Sequence, residues 1–264
     1  MLFSLRDIQG FKLQTVDGNF GEVKAFLIDD FDWVVRYLIV DIDDRMSDRH
    51  AILSPRAVSG LSVEDRVVVV NVDLDKILNS PSVEIDQDLS RELERQLSDY
   101  YNWPYYWEPT EYPVTRPGDL TAVPLIEMEL ERQQEEQELI PETGVTGDSA
   151  AGSGDSNFHL RSTHEIFGYT LYTSNDQGNA GKLHDFIVQD ENWSILYMVA
   201  DTGGLLSSGR KVLVAPTWVE AINEDERRIE VNLSENTIKN SPEFNTTLDL
   251  TSEYQTRLSD HYRA

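Results

Sequence analysis

The sequence predicts a mainly β protein with two small β-barrels, each followed by a C-terminal helix, and an acidic linker between them. The first observation behind this prediction is that the chain repeats itself. Four residues recur 160 positions later: Gly21, Trp33, Tyr37 and Asp41 as Gly181, Trp193, Tyr197 and Asp201. The second is that each copy consists of short, largely apolar stretches separated by turn residues. A repeat of this length is too long for a solenoid unit and long enough for an independently folding domain.

The spacing of the repeat grows by one residue in its later part. Pro55 recurs 161 positions later as Pro216, and Asn79-Ser80-Pro81 recurs at the same offset as Asn240-Ser241-Pro242. One inserted residue is what a lengthened surface loop would produce. We therefore predict a first domain at residues 1–107 and a second domain at residues 158–264.

The segment between the copies, residues 108–157, has no counterpart in either of them. It is rich in Asp and Glu, and its second half, residues 143–156, is rich in Gly and Ser. A segment of this composition cannot bury enough apolar surface to offset the entropy lost on ordering. It is predicted to be a linker.

Within each copy the pattern is one of short strands and tight turns. The predicted strands are residues 11–16, 21–28, 33–41, 50–55 and 66–72 in the first copy, and 169–173, 182–188, 195–201, 211–215 and 228–233 in the second. Four consecutive valines at 67–70 suit a strand covered on both faces, or a barrel wall. Because closure removes exposed strand edges, short antiparallel strands with no long helix between them predict a small closed barrel.

Both copies are predicted to end in a helix, the first over residues 88–99. An apolar stripe with four-residue spacing indicates each helix: Leu89, Leu93 and Leu97 in the first copy, and Leu250, Tyr254 and Leu258 in the second. We expect the stripe to pack against the barrel.

The most unusual stretch is the aromatic segment, residues 100–107, in which six of eight residues are Tyr or Trp. Only the first copy continues into such a segment. Two interpretations stay open. The segment fastens the helix or the linker to a barrel, or it forms a protein-binding surface, since Tyr and Trp dominate interface hot spots. The candidate interaction residues are Tyr101, Trp103, Tyr105, Tyr106 and Trp107.

The charge of the chain restricts its partners. With 48 Asp and Glu against 22 Lys and Arg, the formal net charge is −26, and there is no long basic run. Direct binding to nucleic acid, to anionic membranes or to acidic substrates is therefore disfavoured. The acidity fits either a salt-rich cytoplasm or a functional acidic surface.

The chain contains no cysteine, which excludes disulfides, thiol nucleophiles and cysteine-ligated metals. It has no signal-peptide pattern at its start and no apolar stretch long enough to span a bilayer. We therefore expect a cytoplasmic protein that does not insert into membranes.

The ordered motifs of both copies resemble the PRC-barrel domain family. In the first copy they are Gly10-Phe-Lys-Leu, Asp17-Gly18-Asn-Phe-Gly21, Tyr37-Leu-Ile-Val-Asp41 and a strand ending in Pro55; in the second, Gly168-Tyr-Thr-Leu, Gln177-Gly178-Asn-Ala-Gly181, Tyr197-Met-Val-Ala-Asp201 and the strand ending in Pro216. The resemblance covers about residues 3–75 and 160–235. It implies a strongly bent β-barrel used for assembly and docking, and it carries no common catalytic residues.

The paired glycines have a structural interpretation. Gly18 and Gly178 suit the left-handed position of a hairpin turn, while Gly21 and Gly181 permit a bend or bulge where a small barrel must curl. A phosphate cradle is the alternative, but no glycine-rich loop of the usual pattern leads into a helix here.

The sequence does not indicate a catalytic site or a cofactor. The five histidines, at positions 50, 159, 164, 184 and 261, do not recur at equivalent positions. His164, His184 and Asp185 are a weak metal candidate. The acidic turn Asp29, Asp30 and Asp32 is the best candidate for weak cation binding, whereas Asp41-Ile-Asp43-Asp44 lacks the Gly and Glu of an EF-hand loop.

These features together predict a non-enzymatic protein-interaction or structural module, which binds another protein or a second copy of itself. Some bacterial relatives suggest a role in stress adaptation. The alternative function is a sensor that binds a small ligand or a divalent cation through its acidic loops.

Overall fold

The structure, a computed structural model, describes residues 1–41, 50–83, 89–107, 160–203, 209–247 and 250–263. Two β-sheets dominate it, and a helix follows each sheet along the chain. The predicted fold class is confirmed. The predicted linker at 108–157 lies outside the described residues, so the predicted domain boundaries stay a prediction. Below, residues 1–107 are the first unit and residues 160–263 the second unit.

The two units contain the same elements in the same order, except that β8 of the first unit has no counterpart among the described strands of the second. The first unit has β1 (Leu2–Ser4), α1 (Leu5–Ile8), β2 (Lys12–Thr15), β3 (Gly18–Asp29), β4 (Val34–Asp41), β5 (His50–Leu53), β6 (Val58–Ser62), β7 (Val67–Val70), α2 (Leu74–Leu78), β8 (Ser82–Val83) and α3 (Arg91–Tyr101). The second unit has β9 (Leu160–Ser162), α4 (Thr163–Ile166), β10 (Thr170–Thr173), β11 (Gly178–Gln189), β12 (Ile195–Asp201), β13 (Lys211–Val214), β14 (Val219–Asn223), β15 (Arg228–Val231), α5 (Glu235–Lys239) and α6 (Ser252–Arg263).

All ten predicted strands are present, but their pairing differs from the prediction at one point in each unit. Strands follow the order β6-β7-β2-β3-β4-β5-β8 in one sheet and β13-β12-β11-β10-β15-β14 in the other. The pairs β2–β7 and β10–β15 are parallel, so the prediction of antiparallel strands throughout is wrong. In each of these pairs, most of the unit's residues lie between the two strands along the chain. A connection of that length can join two strands in a parallel or an antiparallel arrangement. Among the described residues, the two end strands of each sheet do not pair with each other, so hydrogen bonds do not close either sheet into the predicted barrel.

The bend or bulge predicted at Gly21 and Gly181 is confirmed as a β-bulge, because the strand register shifts at Gly21 and next to Gly181. Both residues have positive φ, 55° and 131°. A Cβ atom would lie 2.3 Å from the Asp41 carbonyl oxygen at Gly21, and 2.2 Å from the Asp201 carbonyl oxygen at Gly181. Two strands therefore approach each other at a distance that only glycine allows.

The hairpin-turn prediction for the other glycine pair is only partly correct. Gly18 has a positive φ of 129°, outside the left-handed helical region, and in the second unit Gln177, with φ 53°, takes that region in place of Gly178. The sequence pattern located both turns, but in the second unit the left-handed position belongs to Gln177 and not to Gly178.

The predicted terminal helices are confirmed with shifted boundaries. Helix α3 begins after Ser90, whose side chain caps it, so Leu89 precedes the helix, although it is buried. The helix ends at Tyr101 with Asn102 in the left-handed conformation. The first two residues of the aromatic segment therefore belong to the helix, and the chain turns away from the helix axis before Trp103.

The two units exchange their first strands. β1 of the first unit pairs antiparallel with β11, placing Phe3 opposite Val188, and β9 of the second unit pairs antiparallel with β3, placing Arg161 opposite Ile28. Each unit therefore supplies one strand to the sheet of the other. The exchange is reciprocal, as expected for an interface between two related subunits.

The tips of the hairpins β3–β4 and β11–β12 also meet in a reciprocal contact. The Val35 N–H donates to the Trp193 carbonyl at 2.9 Å, and the Ile195 N–H donates to the Trp33 carbonyl at 2.8 Å. Both tryptophans have positive φ, 49° and 59°. The edge of the Phe3 ring packs against Trp193, with ring centroids 5.2 Å apart. Backbone hydrogen bonds and aromatic packing thus join the two units. We call the exchanged strands and the hairpin tips the inter-unit surface.

A buried carboxylate, that of Asp185, accepts hydrogen bonds from the first unit at one side of this inter-unit surface. The Ser4 hydroxyl donates to Asp185 Oδ2, and the backbone N–H groups of Phe186 and Arg6 donate to Oδ1 at 2.7 and 3.1 Å. On the pseudo-equivalent side, the Phe26 N–H donates to Thr163 Oγ1 at 3.0 Å. Burial raises the pKa of Asp185 to about 6.

We expect this carboxylate to lower stability as pH rises. Because the folded pKa of Asp185 exceeds that of the unfolded chain, the folded state binds the proton more tightly between about pH 4 and pH 6. Over that range the group should lower the free energy of unfolding by about 1–3 kcal/mol. In Asp185→Asn, the amide oxygen keeps both backbone donors and the amide nitrogen can donate to Ser4. The variant should therefore match the wild type near pH 4 and exceed it at pH 7 in urea unfolding. Parallel pH profiles for the two proteins would contradict this expectation.

Candidate interaction surface on the first unit

A buried glutamate organises the end of the first unit. Glu94 lies on α3, is 0% exposed, and accepts hydrogen bonds at Oε1 from the Tyr37 hydroxyl at 3.0 Å and the Tyr106 hydroxyl at 2.8 Å. Its Oε2 accepts from Arg91 Nη1 at 2.6 Å. Burial raises the pKa of Glu94, and these donors oppose the rise. The Glu94 carboxylate therefore connects β4, α3 and the aromatic segment through hydrogen bonds.

Arg36 joins this cluster to the acidic turn that precedes β4. Its guanidinium lies 3.9 Å from the centre of the Tyr106 ring and donates to Asp29 Oδ2 through Nε at 2.9 Å and Nη2 at 2.7 Å. The same Nη2 donates to Asp32 Oδ2 at 2.5 Å. Tyr106 is thus held by a cation–π contact on its face and by Glu94 at its hydroxyl.

Three of the candidate residues pack inward. Tyr101 is buried, Trp103 stacks on it with ring centroids 4.2 Å apart and an interplanar angle of 14°, and both Trp103 and Tyr106 pack against the hydrophobic core. The Trp103 N–H also donates to the Ser98 carbonyl at 2.8 Å, which closes the C-terminus of α3. These contacts match the interpretation that the segment fastens the helix to its own barrel.

The other two candidates, Tyr105 and Trp107, form a small aromatic pair beside this packing. Their ring centroids are 5.1 Å apart, and the Arg91 guanidinium lies 4.3 Å from the centre of the Trp107 ring. Both side chains are half-buried, and neither is among the residues packed against the core. We call Tyr105, Trp107 and Arg91 the aromatic pair surface.

The second unit lacks the polar contacts that hold the segment in the first. The positions that correspond to Arg36 and Glu94 carry Leu196 and Gln255. The Tyr197 hydroxyl, equivalent to that of Tyr37, is buried without a hydrogen-bond partner among the described residues. The cluster is therefore a property of the first unit alone, and Glu94 could not be recognised in the sequence among 48 acidic residues.

The three carboxylates of the acidic turn are engaged in ion pairs. Asp29 and Asp32 pair with Arg36, the Asp29 carboxylate also accepts from the N–H groups of Phe31 and Asp32, and Asp30 pairs with Arg161 of the second unit. Among the described residues, no group of three or more His, Asp or Glu side chains is arranged to hold a metal ion. The turn stabilises the fold through arginine contacts.

The structure describes all three residues of the weak metal candidate, His164, His184 and Asp185. Asp185 belongs to the inter-unit surface, and burial lowers the pKa of His184. The backbone N–H of His164 donates to the Ser162 hydroxyl, which caps α4. His159, Asp43 and Asp44 lie outside the described residues.

Comparison with models of protein families gives a match in the second unit. The model of the PRC-barrel domain matches residues 159–237. No curated protein matches the chain significantly. Within the described residues, no helix is long and apolar enough to cross a membrane. The suspected resemblance is confirmed for the second unit: residues 159–237 are similar to the PRC-barrel domain.

Proposed function

We propose that this protein is a non-enzymatic scaffold of two PRC-like units that binds another protein through the aromatic pair surface. The observation that carries the proposal is the division of the aromatic segment. Trp103 and Tyr106 are committed to packing and to Glu94, whereas Tyr105 and Trp107 lie beside an arginine and outside the core packing. Trp, Tyr and Arg are the residue types most enriched at interface hot spots.

Two further features support this function over the alternatives. Each unit completes the sheet of the other, which gives a fixed platform for a surface that belongs to one unit. The acidic turn, the best candidate for a cation sensor, already has its carboxylates bound by Arg36 and Arg161. A cation would have to compete with these ion pairs. A role in stress adaptation and a cytoplasmic location stay predictions.

Single substitutions should separate the two roles of the segment. Trp103→Ala should lower the free energy of unfolding by about 2 kcal/mol or more, because it removes a ring stacked on the buried Tyr101. Trp107→Ala should cost less than Trp103→Ala, because Trp107 is half-buried and its contacts with Tyr105, Tyr106 and Arg91 lie outside the core packing. Urea unfolding measures both. Equal costs for the two variants would contradict the division.

A photo-cross-linking amino acid placed at position 105 tests the interface itself. In cells of the source organism we expect a discrete adduct with one protein or with a second copy of the chain, and Trp107→Ala should abolish it. The matched control is the same probe at Val16, which is 75% exposed and lies at the opposite end of β3 from the acidic turn. Adducts that are equally abundant at both positions, or that persist in Trp107→Ala, would contradict the proposal.

A further inference from the structure

The end of the second unit contains a groove with an apolar floor and a polar rim. Its volume is about 420 Å³, at the small end of the range for ligand sites. The floor consists of Trp218, Leu233 and Tyr262, whose exposed fractions are only 8%, 6% and 8%. The rim carries four exposed asparagines: Asn175, Asn232, Asn236 and Asn240.

Much of the hydrogen-bonding capacity of this rim is unused among the described residues. The side chains of Asn175 and Asn232 make no hydrogen bond there. Asn240 Nδ2 donates to Asn236 Oδ1 at 2.8 Å, which leaves the amide N–H groups of Asn236 and the amide oxygen of Asn240 available. The rim therefore offers both donors and acceptors to a ligand.

The lining of the groove carries no formal charge. None of its ten residues is Asp, Glu, Lys or Arg, although the chain has a net charge of −26. His261 Nε2 donates to the Thr237 carbonyl at 2.7 Å, so the neutral ring keeps Nδ1 as an acceptor. A charged ligand would gain no ion pair from this lining, and an anion would also be repelled by the chain as a whole.

The same place in the first unit has a different lining. Ala57 takes the place of Trp218. Three uncharged positions of the groove are charged there, with Asp73, Asp75 and Lys76 at the positions of Ser234, Asn236 and Thr237. The aromatic floor and the uncharged rim therefore occur together in the second unit only, and the first unit provides matched control positions.

A ring with an apolar face and hydroxyl groups at its edge fits this arrangement. The C–H face of a pyranose sugar is apolar and can cover the aromatic and leucine side chains of the floor. Hydroxyl groups both donate and accept, as the rim amides do. A wholly apolar ligand fits less well, because it would take the rim amides out of water without giving them partners.

We propose that this groove binds a neutral saccharide, whose ring face lies on the floor and whose hydroxyl groups bond to the rim asparagines. The site is separate from the aromatic pair surface and goes beyond the proposed function. Its test leaves the aromatic pair surface unchanged, so either proposal can fail without the other.

The probes are glucose, maltose and trehalose, each titrated into the full chain and followed by NMR. At least one of them should shift the indole N–H resonance of Trp218 in a saturable manner, and Trp218→Phe identifies that resonance. Two control compounds should bind at least tenfold more weakly than the best of the three. Glucuronate adds a charge, and sorbitol keeps the hydroxyl groups but has no ring face.

Removing rim amides should lower the affinity. Asn232→Leu with Asn236→Leu changes two exposed positions and should weaken binding of the best probe at least tenfold. The matched control is Asn71→Leu with Asp75→Leu, the equivalent exposed positions of the first unit, which should leave the affinity unchanged.

If the double rim variant does not fold, Asn175→Leu tests the same rim from the turn between β10 and β11. The proposal is overturned if none of the three saccharides gives a saturable shift of Trp218 at high millimolar concentration. It is also overturned if sorbitol or glucuronate binds as well as the best saccharide, or if the rim variants bind normally.

Discussion

Replacing Gly181 with alanine should be among the most damaging single substitutions in this chain. The glycine has φ 131°, and a Cβ atom would lie 2.2 Å from the Asp201 carbonyl oxygen and 2.9 Å from the Thr202 Cα. These are backbone atoms of the paired strand, so the clash cannot be relieved by a rotamer change. We expect a loss of roughly 4 kcal/mol or more in the free energy of unfolding, measured by urea denaturation.

Gly60→Ala is the matched control for this prediction. Gly60 also lies in a strand, but it has no positive φ, and an added Cβ would meet only the Val69 side chain at 3.8 Å. Its substitution should change stability by less than about 1 kcal/mol. If Gly181→Ala costs no more than Gly60→Ala, the close approach of the two strands is not real.

Glu94→Ala should have the second large effect. The substitution leaves the hydroxyls of Tyr37 and Tyr106 and the Arg91 guanidinium without their shared acceptor in a buried site. Breaking a buried charged network from one side costs about 3–5 kcal/mol. The same variant should release the aromatic segment, which a rise in Trp107 accessibility to acrylamide quenching would report.

Two controls keep this result interpretable. Glu94→Gln retains an oxygen acceptor for the tyrosine hydroxyls and should cost clearly less than alanine. Glu92→Ala, two residues away with a side chain 68% exposed, should be nearly neutral. A Glu94→Ala protein as stable as Glu92→Ala would mean that the cluster contributes nothing to folding.

Much of each unit could be predicted from the sequence because the informative signals are local. Short apolar stretches between turn residues located the ten strands, and the correspondence of Gly21 with Gly181 located the bulges, since a close approach of two strands requires a residue without a side chain. The parallel pairs β2–β7 and β10–β15 were missed because they join the two ends of a unit, and no local pattern specifies that pairing.

The contacts between the units could not have been predicted for a similar reason. β1 and β9 are three residues each, too short to give a periodicity, and their partners lie in the other unit. Trp33 and Trp193 were recognised as equivalent. Their shared role is to accept backbone hydrogen bonds from the other unit through their carbonyls, and it depends on a left-handed backbone that tryptophan rarely adopts. The division of the aromatic segment likewise follows from where Glu94 and Arg36 lie, which the composition of the segment does not reveal.

The central claim is that the exchanged strands and the hairpin tips hold the two units together as one body. The direct measurement is to insert a protease site between residues 143 and 156, cleave the chain, and determine the mass of the product by sedimentation under native conditions. We predict that the two fragments sediment as one species and separate only in denaturant. Two folded fragments that sediment independently after cleavage would contradict the claim.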